Sequence, residues 1–178
     1  MVSKKDLSEQ DIRTKFITPA IEKAGWDRMT QLGEDVPLTD GKIFIRGNLF
    51  ARGKLKRADY VLYYKPNIPI AIIEAKDNNH SVRSGIQQAL GYRELLKDVP
   101  CVYSSNGDAF FEHDFTSSNG KIEREISLDE FPTPEELWKR YKKLNNIEEP
   151  QEITVAEQDY FYDSTGKKPR YYQQVAIN

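Results

Sequence analysis

Ile68-Pro69-Ile70-Ala71-Ile72-Ile73-Glu74-Ala75-Lys76 is an apolar run that ends on an acid and a base two positions apart. In an extended strand side chains alternate, so Glu74 and Lys76 share one face and Ala75 takes the other. An unpaired charge at the end of a core strand is costly, and such groups need a partner or a cation. Upstream, residues 59–65 (Asp-Tyr-Val-Leu-Tyr-Tyr-Lys) are aromatic and β-branched, and Pro66-Asn67 supplies turn chemistry. The two runs read as a hairpin. With the turn centred between Pro66 and Asn67, partner numbers sum to 133 and Asp59 faces Glu74. A four-residue loop, 66–69, gives a sum of 135 and sets Asp59 against Lys76. Directly opposed Cβ atoms lie roughly 5 Å apart, so either register gathers two carboxylates and one ammonium.

Two carboxylates with room for water suit Mg²⁺, which prefers carboxylate, water and phosphate oxygens to an all-protein cage. The spacing has the look of a phosphodiester-cutting site. Asp59 followed by Glu74-Ala75-Lys76 resembles the PD-(D/E)xK nuclease signature, with Ala58 where the signature has proline.

The chain has 178 residues, about one ordinary domain, with 38% hydrophobic and 30% charged residues. No stretch approaches the ~18 uninterrupted apolar residues of a membrane span, and the charged N-terminus lacks a signal-peptide core. The one cysteine, Cys101, excludes an internal disulfide framework and fits a reducing cytoplasm. Two histidines, His80 and His113, and one thiol do not make the roughly four ligands of a structural zinc site. No Gly-x-Ser-x-Gly or Cys-His arrangement supports acyl chemistry. Carboxylate chemistry remains.

The net charge of −2 does not advertise a nucleic acid, but its distribution does. Lys42 to Arg57 holds six basic residues and no acidic one, whereas Asp108 to Glu149 holds eleven acidic and six basic. The basic stretch, Arg52, Lys54, Lys56 and Arg57 included, leads straight into Asp59 and could neutralise phosphates beside it.

Along the chain, Ser8 with Asp11 three later reads as a helix N-cap, and Ile12, Phe16, Ile17, Ala20, Ile21 and Ala24 recur at helical spacing. Pro19 predicts a kink or a break into two pieces. Residues 27–41 read as loop, Lys42–Ile45 as a short strand, and Gly47, Asn48 and Gly53 as a turn. After Lys76, a polar link precedes a helix over about 82–97. Strands at Cys101–Tyr103 and Ala109–Phe115 follow, then a helix opened by Thr133-Pro134-Glu135-Glu136 and running to about Leu144. If the strands on either side of the 82–97 helix are parallel, their crossover should be right-handed. The expected fold is one α/β domain, a mixed sheet flanked by helices.

On the 82–97 helix, Gln88 and Tyr92 lie four apart on one face, at the margin of an apolar stripe of Val82, Ile86, Ala89, Leu90 and Leu96. Gln88-Ala89-Leu90-Gly91-Tyr92 resembles the Q-x-x-x-Y element that accompanies the nuclease signature in the motor (R) subunits of type I restriction enzymes. Ser8-Glu9-Gln10-Asp11-Ile12-Arg13, with Gly25-Trp26, is similar to the opening helix of those subunits. Pro169-Arg170-Tyr171-Tyr172-Gln173-Gln174 resembles the Tyr-Gln element ahead of the first ATP-binding motif of superfamily 2 helicases, and no Gly-Lys-Ser/Thr loop follows it here.

The resemblance implies a restriction-endonuclease-like domain over residues 1–145, a linker or extension over 146–168, and the start of a truncated motor over 169–178. It implies that Asp59, Glu74 and the Ala75 carbonyl hold Mg²⁺, for which Mn²⁺ substitutes, and that Lys76 serves the attacking water or the developing charge. Gln88 and Tyr92 would support the site and handle the DNA backbone. Glu9 would stand near the metal, and Gln173 would contact the adenine of ATP in the parent motor. The implied partners are DNA, the modification and specificity subunits of a restriction-modification complex, and the rest of the motor chain. Other readings stay open: a junction or repair nuclease of the same fold, a non-catalytic DNA-binding or docking module, and a structural domain with a buried ion pair.

Overall fold

The computed structural model describes residues 3–38, 43–46, 49–52, 56–118 and 120–148, with only the backbone of 43–46 and 49–52. Lys54, Gln173 and the 169–178 motor element lie outside the described residues, as do the side chain of Arg52 and most of the 146–168 segment.

A six-stranded mixed sheet runs in the order β1-β4-β5-β6-β7-β8, where β1 is Leu32–Leu38, β4 Lys56–Tyr63, β5 Pro69–Ala75, β6 Cys101–Ser105, β7 Ala109–Asp114 and β8 Glu123–Ser127. The short strands β2 (Ile43–Arg46) and β3 (Leu49–Arg52) pair with each other as a separate hairpin. Among the described strands only β5 and β6 run parallel, and the connection between them carries a helix.

Two cores cover the two faces of the sheet. On one, Ile12, Ile17 and Ile21 of the N-terminal helix pack with Leu137 and Trp138 over Tyr60, Leu62, Ile73 and Tyr103. On the other, Ile86, Ala89 and Tyr92 pack over Val61, Ile72, Val102 and Phe111. All seven residues of β5 are buried, which explains why its sequence reads as an uninterrupted apolar run rather than an alternation.

Ser8 and Asp11 form the reciprocal capping box expected of them. The helical path from there is continuous, as α1 (Glu9–Ile12), a π turn (Arg13–Ile17) and α2 (Thr18–Lys23). Pro19 lacks the N–H that would reach back to the carbonyl of Lys15, and the expected interruption takes the form of the π turn just before it. The expected helix over 82–97 shortens to α3 (Ile86–Arg93), with turns on both sides. Residues 32–38, read as loop, form edge strand β1, and β8 has no counterpart in the sequence reading. The final helix α4 (Pro134–Leu144) opens on the Thr133–Glu136 capping box and stops where the sequence placed its end.

Candidate active site

The hairpin register decides which side chains meet. Tyr60↔Ile73, Val61↔Ile72 and Leu62↔Ala71 all sum to 133, and a bulge after Leu62 takes up the turn. The alternative sum of 135 is excluded, and Asp59 falls opposite Glu74 rather than Lys76. In the turn, Ile68 donates to Lys65 O, and Asn67 takes a left-handed φ of 74°, a conformation asparagine tolerates. The paired residues end at Tyr60↔Ile73. One step further, the Ala75 N–H donates to Asp59 Oδ2 at 2.7 Å, so a carboxylate takes the place of a ladder carbonyl.

Glu74 points from β5 toward α3, its side chain only 3% exposed. Lys76 Nζ donates to its Oε1 at 2.8 Å, while the buried Oε2 has no partner among the described residues. Burial, and then the neighbouring Asp59 carboxylate, push the Glu74 carboxyl up to about 7 against the opposing pull of Lys76. Lys76 moves upward as well: burial works against its charge, and Glu74 outweighs burial. The ammonium is held from a second side, donating to Gln88 Oε1 at 3.3 Å, and Gln88 Nε2 in turn donates to the Tyr92 hydroxyl at 2.6 Å. The Gln88–Tyr92 spacing thus steadies Lys76. Tyr92 is 4% exposed and belongs to the core, a deeper seat than the helix-margin position expected of it.

Space for Glu74 comes from a residue the sequence reading passed over. A Cβ on Gly85, which caps α3, would lie 2.9 Å from Glu74 Cγ and 3.1 Å from Ser104 Cβ. Its only signal was a glycine ahead of an apolar helix, which is also ordinary turn chemistry.

Glu9, at the start of α1, is half-buried, and its carboxyl is raised by burial and by the charge of Asp59, with Lys76 opposing. It faces the site electrostatically from the N-terminal helix. Two further residues that sequence reasoning did not single out adjoin Asp59. Arg13 NH1 meets Asp35 Oδ1 at 2.9 Å and Asp59 Oδ1 at 3.7 Å, and Arg13 NH2 donates to the Asp59 carbonyl at 3.2 Å. Of the basic residues, Lys56 and Arg57 are exposed at the start of β4. Lys56 Nζ donates to Gly91 O at 3.0 Å, satisfying a carbonyl of the last turn of α3.

Residues 45–121, which contain Asp59, Glu74, Lys76, Gln88 and Tyr92 but not Glu9, match the family described as type I restriction enzyme R protein N terminus. The type I restriction enzyme EcoAI endonuclease subunit of Escherichia coli is 48% identical over 174 residues, 97% of this chain. The chain belongs to the type I R protein N-terminal family. A fragment structure of an HsdR subunit of a type I restriction enzyme from Vibrio vulnificus YJ016 aligns with a TM-score of 0.75 at 36% identity, over 97% of this chain and 31% of that one. The fold is accordingly restriction-endonuclease-like, α/β with a mixed sheet between helices. The chain spans 21% of the length of the Escherichia coli relative.

Proposed function

We propose that this R-protein N-terminal region is a Mg²⁺-dependent endonuclease domain that cuts double-stranded DNA without reading local sequence. The observation that carries the reading is the buried Glu74 Oε2, unpartnered among the described residues and beside a second carboxylate, Asp59. A purely structural ion pair would gain by satisfying both carboxylate oxygens, because burying an acceptor without a partner costs stability.

Both carboxylates and the Ala75 carbonyl come from the point where β4 and β5 part. Among the described residues no group of three or more His, Cys, Asp or Glu side chains forms a metal site. Two carboxylates and a carbonyl suit a hard cation that keeps part of its water shell, such as Mg²⁺ or Mn²⁺, and do not suit zinc. A cation there would also relieve the desolvation and like-charge repulsion that raise Glu74. When bound, Mg²⁺ supplies Lewis acidity to a phosphate oxygen and lowers the pKa of a bound water.

The chain's own residues do the rest. Lys76, held by Glu74 and Gln88, keeps a positive charge at the mouth of the site, where it orients a water or meets charge developing on phosphate. Tyr92 fixes Gln88 from the core, and Glu9 adds negative charge from α1. Lys56 and Arg57, exposed at the start of β4, would contact phosphates, which positions a duplex but carries no base information. Target choice would then rest with modification and specificity subunits, and ATP-driven movement with the motor portion of the parent chain, where Gln173 would contact adenine.

In the complete subunit assembled with its partners, alanine at Asp59, Glu74 or Lys76 should abolish cutting and leave ATP hydrolysis intact. Wild-type cutting rates in the Asp59 and Glu74 variants would remove the nuclease reading.

A further inference from the structure

Arg13 has no role in the chemistry proposed above, yet it is built into Asp59. Its side chain is 7% exposed, lies over the Tyr60 ring at 4.9 Å from the centroid, and leaves Nε buried without a partner among the described residues. Burying a guanidinium this deeply is costly unless its donors are used, and here two of its nitrogens go to Asp35 and to the main chain of Asp59.

Three irregularities of backbone converge on the same place. The π turn of the N-terminal helix begins at Arg13, and such turns gather at functional sites. Asp35 sits between the pairs Glu34↔Tyr60 and Val36↔Ala58, hence directly across from Asp59, and has a left-handed φ of 52° inside an edge strand. That conformation is strained for a residue with a side chain. Finally, Ala58 packs in the same core as Val61 while Tyr60 packs in the opposite one, so the regular alternation of β4 breaks at Asp59. Two carboxylates opposed on neighbouring strands repel each other. Arg13 stands between them but nearer to Asp35, at 2.9 Å against 3.7 Å.

We propose that Arg13 and Asp35 are positioning residues for Asp59: Asp35 draws the guanidinium onto itself and onto the Asp59 main chain, leaving the Asp59 carboxylate oriented but not neutralised, open to a cation. Without Asp35, the guanidinium would close on the Asp59 side chain and compete with the metal. Without Arg13, the two carboxylates would push apart and the Asp59 backbone would lose its anchor. The inference rests on the nuclease reading and adds the device that keeps one of its ligands available.

Asp35→Gly is the decisive variant, because glycine adopts a φ of 52° freely and the freed guanidinium takes the Asp59 carboxylate as its new acceptor, which together offset the lost ion pair. Mn²⁺ binding to the 178-residue chain, followed by calorimetry, should weaken roughly two- to fivefold, the scale of a part-exposed ion pair changing partner. Cutting by the assembled enzyme should fall at limiting Mn²⁺ and recover in excess Mn²⁺, with the thermal midpoint unchanged or higher. Asp35→Asn, which keeps an oxygen for Arg13, should restore most of the affinity. Arg13→Lys keeps the charge but cannot span both anchors, and should lower cutting at saturating Mn²⁺ by roughly 10- to 100-fold. Wild-type Mn²⁺ affinity and cutting in Asp35→Gly, alongside an inactive Asp59→Ala, would overturn the proposal and leave the nuclease reading standing. An Asp59→Ala enzyme that still cuts at the wild-type rate would overturn both.

Discussion

Gly85→Ala tests whether Glu74 occupies its place because the start of α3 makes room for it. The backbone at Gly85 (φ −89°, ψ −10°) suits alanine, so conformational entropy alone would stabilise the variant by about 0.4–1 kcal/mol. Sterics oppose this. The new Cβ would meet Glu74 Cγ at 2.9 Å, Glu74 Cβ at 3.1 Å and Ser104 Cβ at 3.1 Å. Two of these atoms are Cβ carbons fixed to buried core strands and cannot rotate away, so α3 or the Glu74 side chain must shift. Overpacking of this kind costs about 1–3 kcal/mol, which outweighs the entropic gain. The net expectation is a loss of about 1–2 kcal/mol, or roughly 2–8 °C in thermal midpoint for a chain of this size. DNA cutting should fall by more than stability explains, because Glu74 moves relative to Asp59. Gly91→Ala in the same helix is the control: its Cβ meets only the flexible Lys56 Nζ at 3.5 Å, and it should stabilise by up to about 1 kcal/mol. Equal melting and equal cutting for Gly85→Ala and wild type would refute the reasoning.

Other perturbations have equally definite signs. Glu74 has a folded-state carboxyl raised to about 7 from 4.5, so the native state holds an extra proton between those values and folding stability falls as pH rises through that window. Glu74→Gln should therefore melt above wild type at pH 8 with the difference closing by pH 4, and added Mg²⁺ should raise the midpoint of wild type only. Glu112 behaves in the opposite sense. Burial works against its charge, but Arg124 and Arg140 outweigh burial and lower its carboxyl below 4.5, so its contribution is present above that pH and is lost as pH falls. Glu112→Gln should cost about 2–4 kcal/mol at pH 7 in a denaturant titration and flatten the acid limb. Trp138 stacks on Tyr64 at 4.4 Å and on Tyr141 at 5.2 Å, holding α4 to the sheet; Trp138→Ala should cost about 3–5 kcal/mol.

Several features were legible because their chemistry is local. The apolar run of β5 is written in consecutive residues, and Pro66-Asn67 gave two registers, one of which holds. Capping at Ser8 and Thr133 needs only side chains three residues apart. Strand β1 was missed for an equally local reason: Gly33, Glu34, Asp35 and Pro37 look like loop, and only its place at the sheet edge tolerates them. In β8, only Ile126 of Glu-Arg-Glu-Ile-Ser is buried, so no alternation marks it as a strand.

By itself, the sequence determined the period of each long element, and it narrowed the meeting of Asp59, Glu74 and Lys76 to two hairpin registers, since parity and one short turn allow no others. Stacking of the layers decided the rest. Arg13 reaches Asp59 across 46 residues of chain, and Gly85 makes space for Glu74 only because α3 is pressed against β5. Contacts of that kind leave no periodic trace in the chain, because they depend on how separately encoded pieces pack rather than on the spacing within any one of them.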